Sequence, residues 1–161
     1  MEDAMQRYQE DQFIEQFGLH FEASSYPRMA GRIFGYLLLA DPAHQSMNQI
    51  VERLRSSKSS ISTGLRTLVQ LNLVEQLRLP GERPTFFRVR PGGWTEVFRQ
   101  RLLAVTAVRT LVEHGLELLA GRPDEQRARL QEMKEMYDFV ERELPALFTR
   151  WEQQRQGHCQ P

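Results

Sequence analysis

Cysteine is almost absent from this 161-residue chain, whose single example is Cys159. One cysteine cannot form an internal disulfide, so nothing in the sequence indicates an oxidising compartment. Long apolar runs are absent too, because the longest, around residues 33–40, is far shorter than the roughly 20 residues that span a bilayer. The first residues are acidic and unlike a signal peptide. We therefore expect a soluble protein of the cytoplasm.

The sequence also lacks the patterns of common catalytic and metal sites. Its histidines and Cys159 show no paired spacing that is typical of a metal site. It has no glycine-rich phosphate loop, nucleophile elbow or zinc-protease helix. We therefore expect no metal, no cofactor and no enzymatic activity.

Net charge is lacking as well, because 21 basic and 21 acidic side chains cancel. Their distribution is uneven: residues 46–90 carry eight basic and three acidic side chains, a local charge of +5, which leaves −5 for the rest. The basic residues of this segment are Arg53, Arg55, Lys58, Arg66, Arg78, Arg83, Arg88 and Arg90. A basic middle with acidic flanks is typical of a nucleic-acid-binding domain joined to a scaffold. Chance clustering of surface charge is the alternative.

The first half of the chain predicts four helices. Phenylalanines recur every four residues over residues 13–21, which places an aromatic stripe on a first helix of about residues 3–21. Pro27 is well placed to begin a second helix that is apolar nearly all round, and Ser46 begins a short third through a capping-box pattern. A fourth helix begins after the polar turn at Ser57.

The fourth helix has two different faces. Its apolar face carries Ile61, Leu65, Leu68 and Val69. Its polar face carries Ser59, Ser62, Thr63, Arg66 and Gln70. Short hydroxylated side chains let a helix backbone approach base edges in the major groove, where Arg66 is the best candidate for a guanine. Lys58, near the helix start, suits a phosphate because the helix dipole favours an anion there.

Alternating apolar and polar residues then predict two strands, over about residues 73–79 and 85–90. The loop between them, at residues 80–84, is rich in turn-forming residues and carries Arg83. The order helix, helix, strand, loop, strand is that of a winged helix-turn-helix. Arg83 could enter a narrow minor groove, or it is simply a solvated loop arginine.

Helical periodicity returns after Gly93. A long helix from about Trp94 to Ala120 has two apolar stripes, so one partner surface cannot cover it, and a second copy of the chain is the economical partner. A final helix carries a heptad seam formed by Leu130, Met133, Tyr137, Val140, Leu144, Leu147 and Trp151. We predict that these residues pair two chains. Packing within one chain stays open, because Pro145 should kink the seam.

These elements predict a mainly α fold: a winged helix-turn-helix with a two- or three-stranded β-wing, flanked by N- and C-terminal dimerisation helices. We expect an N-terminal helix over residues 1–26, a DNA-binding domain over 27–92, a dimerisation region over 93–155 and a flexible tail over 156–161.

The predicted partners are double-stranded DNA and a second copy of the chain. The predicted DNA-binding residues are Lys58, Ser59, Ser60, Ser62, Thr63, Arg66, Arg83, Arg53 and Arg55. Two recognition helices related by a dyad would address half-sites about one helical turn apart, so we expect a pseudo-palindromic operator. The alternative function is a winged helix that assembles proteins and has no affinity for DNA.

Aromatic residues from separate segments suggest a small-molecule site. The candidates are Phe13, Phe17, Phe21, Tyr26, Trp94 and Phe98. Rings that face a cavity could hold an effector, and a quaternary ammonium group suits such a cage. Packing in the core is the alternative role for all six.

Several strings between residues 13 and 90 match a known family. They are Phe-Gly-Leu at 17–19, Pro-Arg-Met-Ala-Gly-Arg-Ile at 27–33, Gly-Tyr-Leu-Leu-Leu at 35–39, and the segments 57–66, 73–75 and 80–83. In these the chain resembles the GbsR branch of the MarR-type regulators. The resemblance implies an intertwined homodimer, repression at a short pseudo-palindrome, DNA contacts from Lys58 to Arg66 and at Arg83, and, in the namesake, a response to choline. Related wings often carry two arginines, whereas Pro84 follows Arg83 here.

Within the matching strings, Gly31 and Gly35 lie four residues apart on an apolar helix. We expect another helix to approach closely there. Contact of Arg28 and Arg32 with a ligand or with DNA is the alternative explanation for this string.

Overall fold

The computed structural model describes residues 2–106 and 108–158, so Cys159 lies outside the described residues. The chain divides into two compact units, the first ending at Val97 and the second beginning at Phe98. None of the described helices has an apolar stretch that would reach across a lipid bilayer.

The first unit contains the four predicted helices. They are α1 (Glu2–Ala23), α2 (Arg28–Leu39), α3 (Met47–Leu54) and α4 (Lys58–Gln70). Pro27 is the residue before α2 rather than its first helical residue. The capping box of α3 forms as predicted: the Gln49 amide donates to Ser46 Oγ, and the Ser46 amide donates to Gln49 Oε1. These contacts satisfy two backbone donors that would otherwise be unpaired at the helix start.

Three short strands form one antiparallel sheet in the order β1-β3-β2. They are β1 (Gln45–Ser46), β2 (Val74–Leu77) and β3 (Phe86–Val89). In the hairpin of β2 and β3, Val74 pairs with Val89 and Leu77 pairs with Phe86. The sheet therefore has three strands, within the two or three predicted, and β1 fastens the start of α3 to the hairpin.

The remaining helices are α5 (Gly93–Thr106), α6 (Val108–Leu118) and α7 (Asp124–His158). The single helix predicted from residue 94 to 120 therefore corresponds to two helices, α5 and α6, on either side of residue 107. Helix α7 runs without interruption through Pro145, and it continues to His158. The flexible tail predicted from residue 156 stays a prediction, and residues 156–158 form the end of α7.

The close contact between α1 and α2 lies at the centre of the core of the first unit. A Cβ atom added at Gly31 would lie 2.3 Å from the carbonyl oxygen of Phe17, and one added at Gly35 would lie 3.3 Å from the Cα of Ile14. The predicted close approach at these two glycines is therefore confirmed. Side chains from α1, α2, α3, α4 and the sheet complete this core, among them Ile14, Phe21, Ile33, Phe34, Ile50, Ile61, Leu68 and Leu73.

Candidate nucleic-acid interface

Helix α4 presents the polar face that the sequence predicts. Ile61 and Leu68 are completely buried, and a Cβ added at Gly64 would lie 2.6 Å from the Cδ1 atom of Ile33 in α2. Because α4 packs so tightly on α2, its opposite face is left to solvent. The exposed side chains of that face are Ser59, Thr63, Arg66 and Gln70. Ser60 and Ser62 are half-buried beside them.

The start of α4 suits an anion. Ser57 caps the helix, and its hydroxyl accepts a hydrogen bond from the Ser60 amide at 3.2 Å. Other amides of the first turn have no partner within an α-helix, and together with the helix dipole they favour negative charge. Lys58 is exposed at this end. The position fits a DNA phosphate.

The wing is built around a tight turn at its tip. The Glu82 amide donates to the carbonyl of Leu79 at 3.1 Å, and Gly81 has a φ of +81°. Pro80 and Gly81 are the residues that a type II turn favours at its two central positions, since the second requires a positive φ. The turn exposes Arg83. It gives the wing a cation at its outer end.

A groove joins the start of α4 to the wing. Its volume is about 320 Å³, and its lining residues are Ser46, Met47, Asn48, Lys58, Gln76, Pro84, Thr85 and Phe87. These residues come from β1, the start of α3, the start of α4, the wing loop and both strands of the hairpin. Lys58 and the wing therefore border one continuous surface, as a helix and a wing that contact the same duplex must.

Several cations of the basic segment are free of ion pairs among the described residues. They are Arg55, Lys58, Arg66, Arg78 and Arg83, all exposed. Arg78, directly after β2, was missing from the predicted DNA-binding residues, although its place on the polar side of the alternating strand could have indicated it. By contrast, Arg88 pairs with Glu75 at 2.6 Å, and Arg90 donates to the side chain of Asn72.

Arg53 differs from these cations because two carboxylates already pair with it. Its guanidinium lies 2.6 Å from Asp11 and 3.3 Å from Glu10, both on α1. Although partial burial opposes its charged form, these two carboxylates raise the pKa of Arg53 above its ordinary value. A cation already held by two carboxylates has little left to offer a phosphate. Arg53 is therefore the weakest candidate among the predicted DNA-binding residues, and its role stays a prediction.

Comparison with known proteins agrees with this geometry. A family model described as "MarR family" matches residues 24–83, and one described as "MmpR5-like MarR family transcriptional regulator" matches residues 92–154. The HTH-type transcriptional regulator MmpR5 of Mycobacterium tuberculosis is 35% identical over 142 residues, which cover 88% of this chain and 86% of that protein. The chain belongs to the MarR family of transcriptional regulators. A crystal structure of a transcriptional regulator, 35% identical, superposes with a TM-score of 0.66 over 88% of this chain and 97% of the other.

Membership of the MarR family shows a DNA-binding regulator of transcription rather than an enzyme. The winged-helix fold predicted from the order of the elements is confirmed. Neither family description names the GbsR branch. That finer assignment stays a prediction.

The six aromatic residues predicted to line a pocket divide between the two units of this MarR-family protein. Phe13, Phe17 and Trp94 line a cavity of about 280 Å³ together with Gln16 and His20. The other three rings make different contacts. Phe21 is buried in the core of the first unit with Tyr26 against it, whereas Phe98 belongs to the second unit, where its ring packs against Phe148.

The predicted heptad seam divides into buried and exposed residues within a single chain. Leu144 is buried, and Leu130 lies over Gly115 of α6 within the second unit. Tyr137 and Val140 are half-buried. Met133, Leu147 and Trp151 are exposed by 41%, 45% and 45%. The last three remain available to a partner chain.

Proposed function

We propose that this protein is a homodimeric repressor that binds a pseudo-palindromic operator through α4 and the wing. The observation that carries the proposal is the surface shared by Lys58, the exposed face of α4 and the hairpin. No described carboxylate pairs with Lys58 or Arg66 there, and short hydroxylated side chains lie beside Arg66. A helix of this kind enters the major groove, while phosphate contacts at its start supply affinity.

Selection of bound fragments from the source genome tests the proposal. Fluorescence anisotropy should then show a selected duplex binding at least a thousandfold more tightly than a scrambled duplex, as is typical of specific regulators. Affinity for both should fall steeply with salt. Negligible retention on any DNA at low salt would instead favour a winged helix that assembles proteins.

Dimer formation is proposed from the exposed apolar side chains of the second unit. Large apolar residues of this unit that are exposed by 41% or more include Leu111, Leu118, Met133, Met136, Phe139, Leu147 and Trp151. So many in 64 residues of chain indicate a surface that is buried against another molecule. A second copy is the simplest partner, because a dyad-related pair also sets the spacing of two recognition helices.

A double variant, Leu147→Glu with Trp151→Glu, should weaken the dimer. Two carboxylates buried in an apolar interface should raise the dimer dissociation constant by about 30-fold or more. This is the effect expected from the loss of one hot-spot residue of an interface. Sedimentation velocity over a concentration series measures this. The matched control is Leu38→Glu, which charges a similarly exposed leucine of α2. A wild-type protein that stays monomeric at concentrations where it binds DNA would contradict the proposal.

We also propose that the aromatic cavity of the first unit binds a small effector. Three rings line it, and each cation–π contact with a quaternary ammonium group contributes about 0.5–2 kcal/mol. Calorimetry with choline and glycine betaine should give saturable heat at millimolar ligand, and Trp94→Ala should abolish it. Absence of heat with the wild-type protein would remove the quaternary ammonium hypothesis.

A further inference from the structure

We propose that Arg32 is a positioning residue for the recognition helix α4. It lies on α2, and its guanidinium joins the acidic face of α1 to the turn between α3 and α4. The proposal rests on the proposed DNA-binding function. Close packing at Gly31 explains the glycine of the segment 27–33 but gives no role to its arginines. The proposal gives a role to Arg32.

The contacts of Arg32 reach three segments of the chain. Its Nε atom lies 2.6 Å from Glu15 Oε1 on α1. One terminal nitrogen donates to the hydroxyl of Ser56 at 3.4 Å, and the other donates to the carbonyl of Leu54 at 3.5 Å. Leu54 ends α3, and Ser56 lies in the three-residue turn before α4. One side chain therefore holds the turn that sets the direction of α4.

The turn needs such a contact. Arg55, directly after α3, has φ 49° and ψ 46°, in the left-handed region. Residues with a side chain seldom adopt this conformation, and it persists where the surrounding structure holds it. The carbonyl of Leu54 also belongs to the last turn of α3, where carbonyls lack helical partners and a nearby cation is favourable. Arg32 supplies that cation.

The path of Arg32 is itself fixed by α1. A Cβ atom added at Gly18 would lie 2.8 Å from the Cγ of Arg32, so the arginine stem crosses α1 at a residue without a side chain. Glu15 then forms an ion pair with the guanidinium. The same carboxylate binds Arg28 at 3.0 Å, but Arg28 pairs otherwise with Glu22 and makes no hydrogen bond to the turn among the described residues. Arg28 is thus a natural matched control.

Three variants test the role: Arg32→Gln, Arg32→Lys and Arg28→Gln. Arg32→Gln should lower affinity for the selected operator by roughly tenfold, the effect of one lost charge-assisted hydrogen bond. It should also reduce the ratio of operator to scrambled-duplex affinity and leave the salt slope unchanged, because Arg32 neutralises no phosphate. Arg32→Lys should not rescue binding, since an ammonium cannot span the three partners. Arg28→Gln should bind DNA like the wild type.

Amide hydrogen exchange of the free proteins gives a second measurement. The amides of Arg55 and Ser56 donate to the carbonyls of Glu52 and Val51 at 3.4 Å. They should exchange several-fold faster in Arg32→Gln than in Arg28→Gln, because local opening of the turn becomes easier.

Four results would overturn the proposal. The first is that Arg32→Gln binds the operator with wild-type affinity, and the second is that its amides at the turn exchange at the same rate as those of Arg28→Gln. The third is that the salt slope of Arg32→Gln falls by about one. The fourth is that Arg28→Gln loses as much operator affinity as Arg32→Gln. The third would make Arg32 a phosphate contact, and the fourth would make the effect one of general packing. If the wild-type protein binds no DNA, the proposed function fails, and the exchange measurement still decides whether Arg32 holds the turn.

Discussion

Replacing Arg66 with alanine should weaken binding to the cognate operator by about 1–3 kcal/mol, or roughly 5- to 150-fold. Arg66 is exposed on the polar face of α4, and no described carboxylate pairs with it. A guanidinium in that position can donate two hydrogen bonds to the edge of a guanine, which an alanine cannot replace. Anisotropy titrations with the operator and with a scrambled duplex measure the loss. Binding to the scrambled duplex should change much less.

Lys58→Ala is the control for this prediction. Lys58 lies at the start of α4, where a phosphate is the expected partner. Its loss should weaken all sequences alike and reduce the salt slope by about one. Equal losses on operator and scrambled duplex from both variants would show that the division between specificity at Arg66 and affinity at Lys58 is wrong.

Gly31→Ala should cost the first unit about 3 kcal/mol or more of its free energy of unfolding, at the upper end of overpacking effects. The added Cβ would lie 2.3 Å from the Phe17 carbonyl oxygen and 2.8 Å from Phe21 Cβ. A backbone carbonyl cannot rotate away as a side chain can, so α1 would have to move off α2. Urea denaturation measures the loss.

Gly35→Ala is the matched control on the same helix. Its added Cβ would lie 3.1 Å from Phe17 Cβ and 3.3 Å from Ile14 Cα, contacts that require shifts of only a few tenths of an ångström. Both variants gain the same helix propensity, about 1 kcal/mol. Gly31→Ala should therefore be clearly the less stable of the two. Equal stability would contradict the close approach at Gly31.

The parts of the fold that depend on neighbouring residues could be predicted from the sequence. The capping box at Ser46 and the cap at Ser57 are local patterns, because each involves an amide three residues away. The two faces of α4 follow from helical periodicity alone. The strand β1 has only two residues, which is too short for any alternation to show.

The pairing of charges could not be predicted, because it depends on distant segments. Arg53 and the carboxylates that hold it are separated by more than 40 residues. A count of local charge therefore included Arg53 in the basic surface. The four-residue spacing likewise places Phe17 and Phe21 on one aromatic stripe of α1. In the structure, however, Phe21 is buried in the core against α2, and Phe17 lies at the edge of a cavity. In both cases the decisive contact comes from another helix.

A base-pair substitution scan of the operator tests most directly whether α4 contacts bases through Arg66. Each position of one half-site is changed in turn, and wild-type protein and Arg66→Ala are titrated against every duplex. We predict one G·C pair at which substitution costs the wild type about 1–3 kcal/mol and costs Arg66→Ala nothing further. If both proteins lose the same affinity at every position, Arg66 contacts no base and the assignment of α4 as the recognition helix is contradicted.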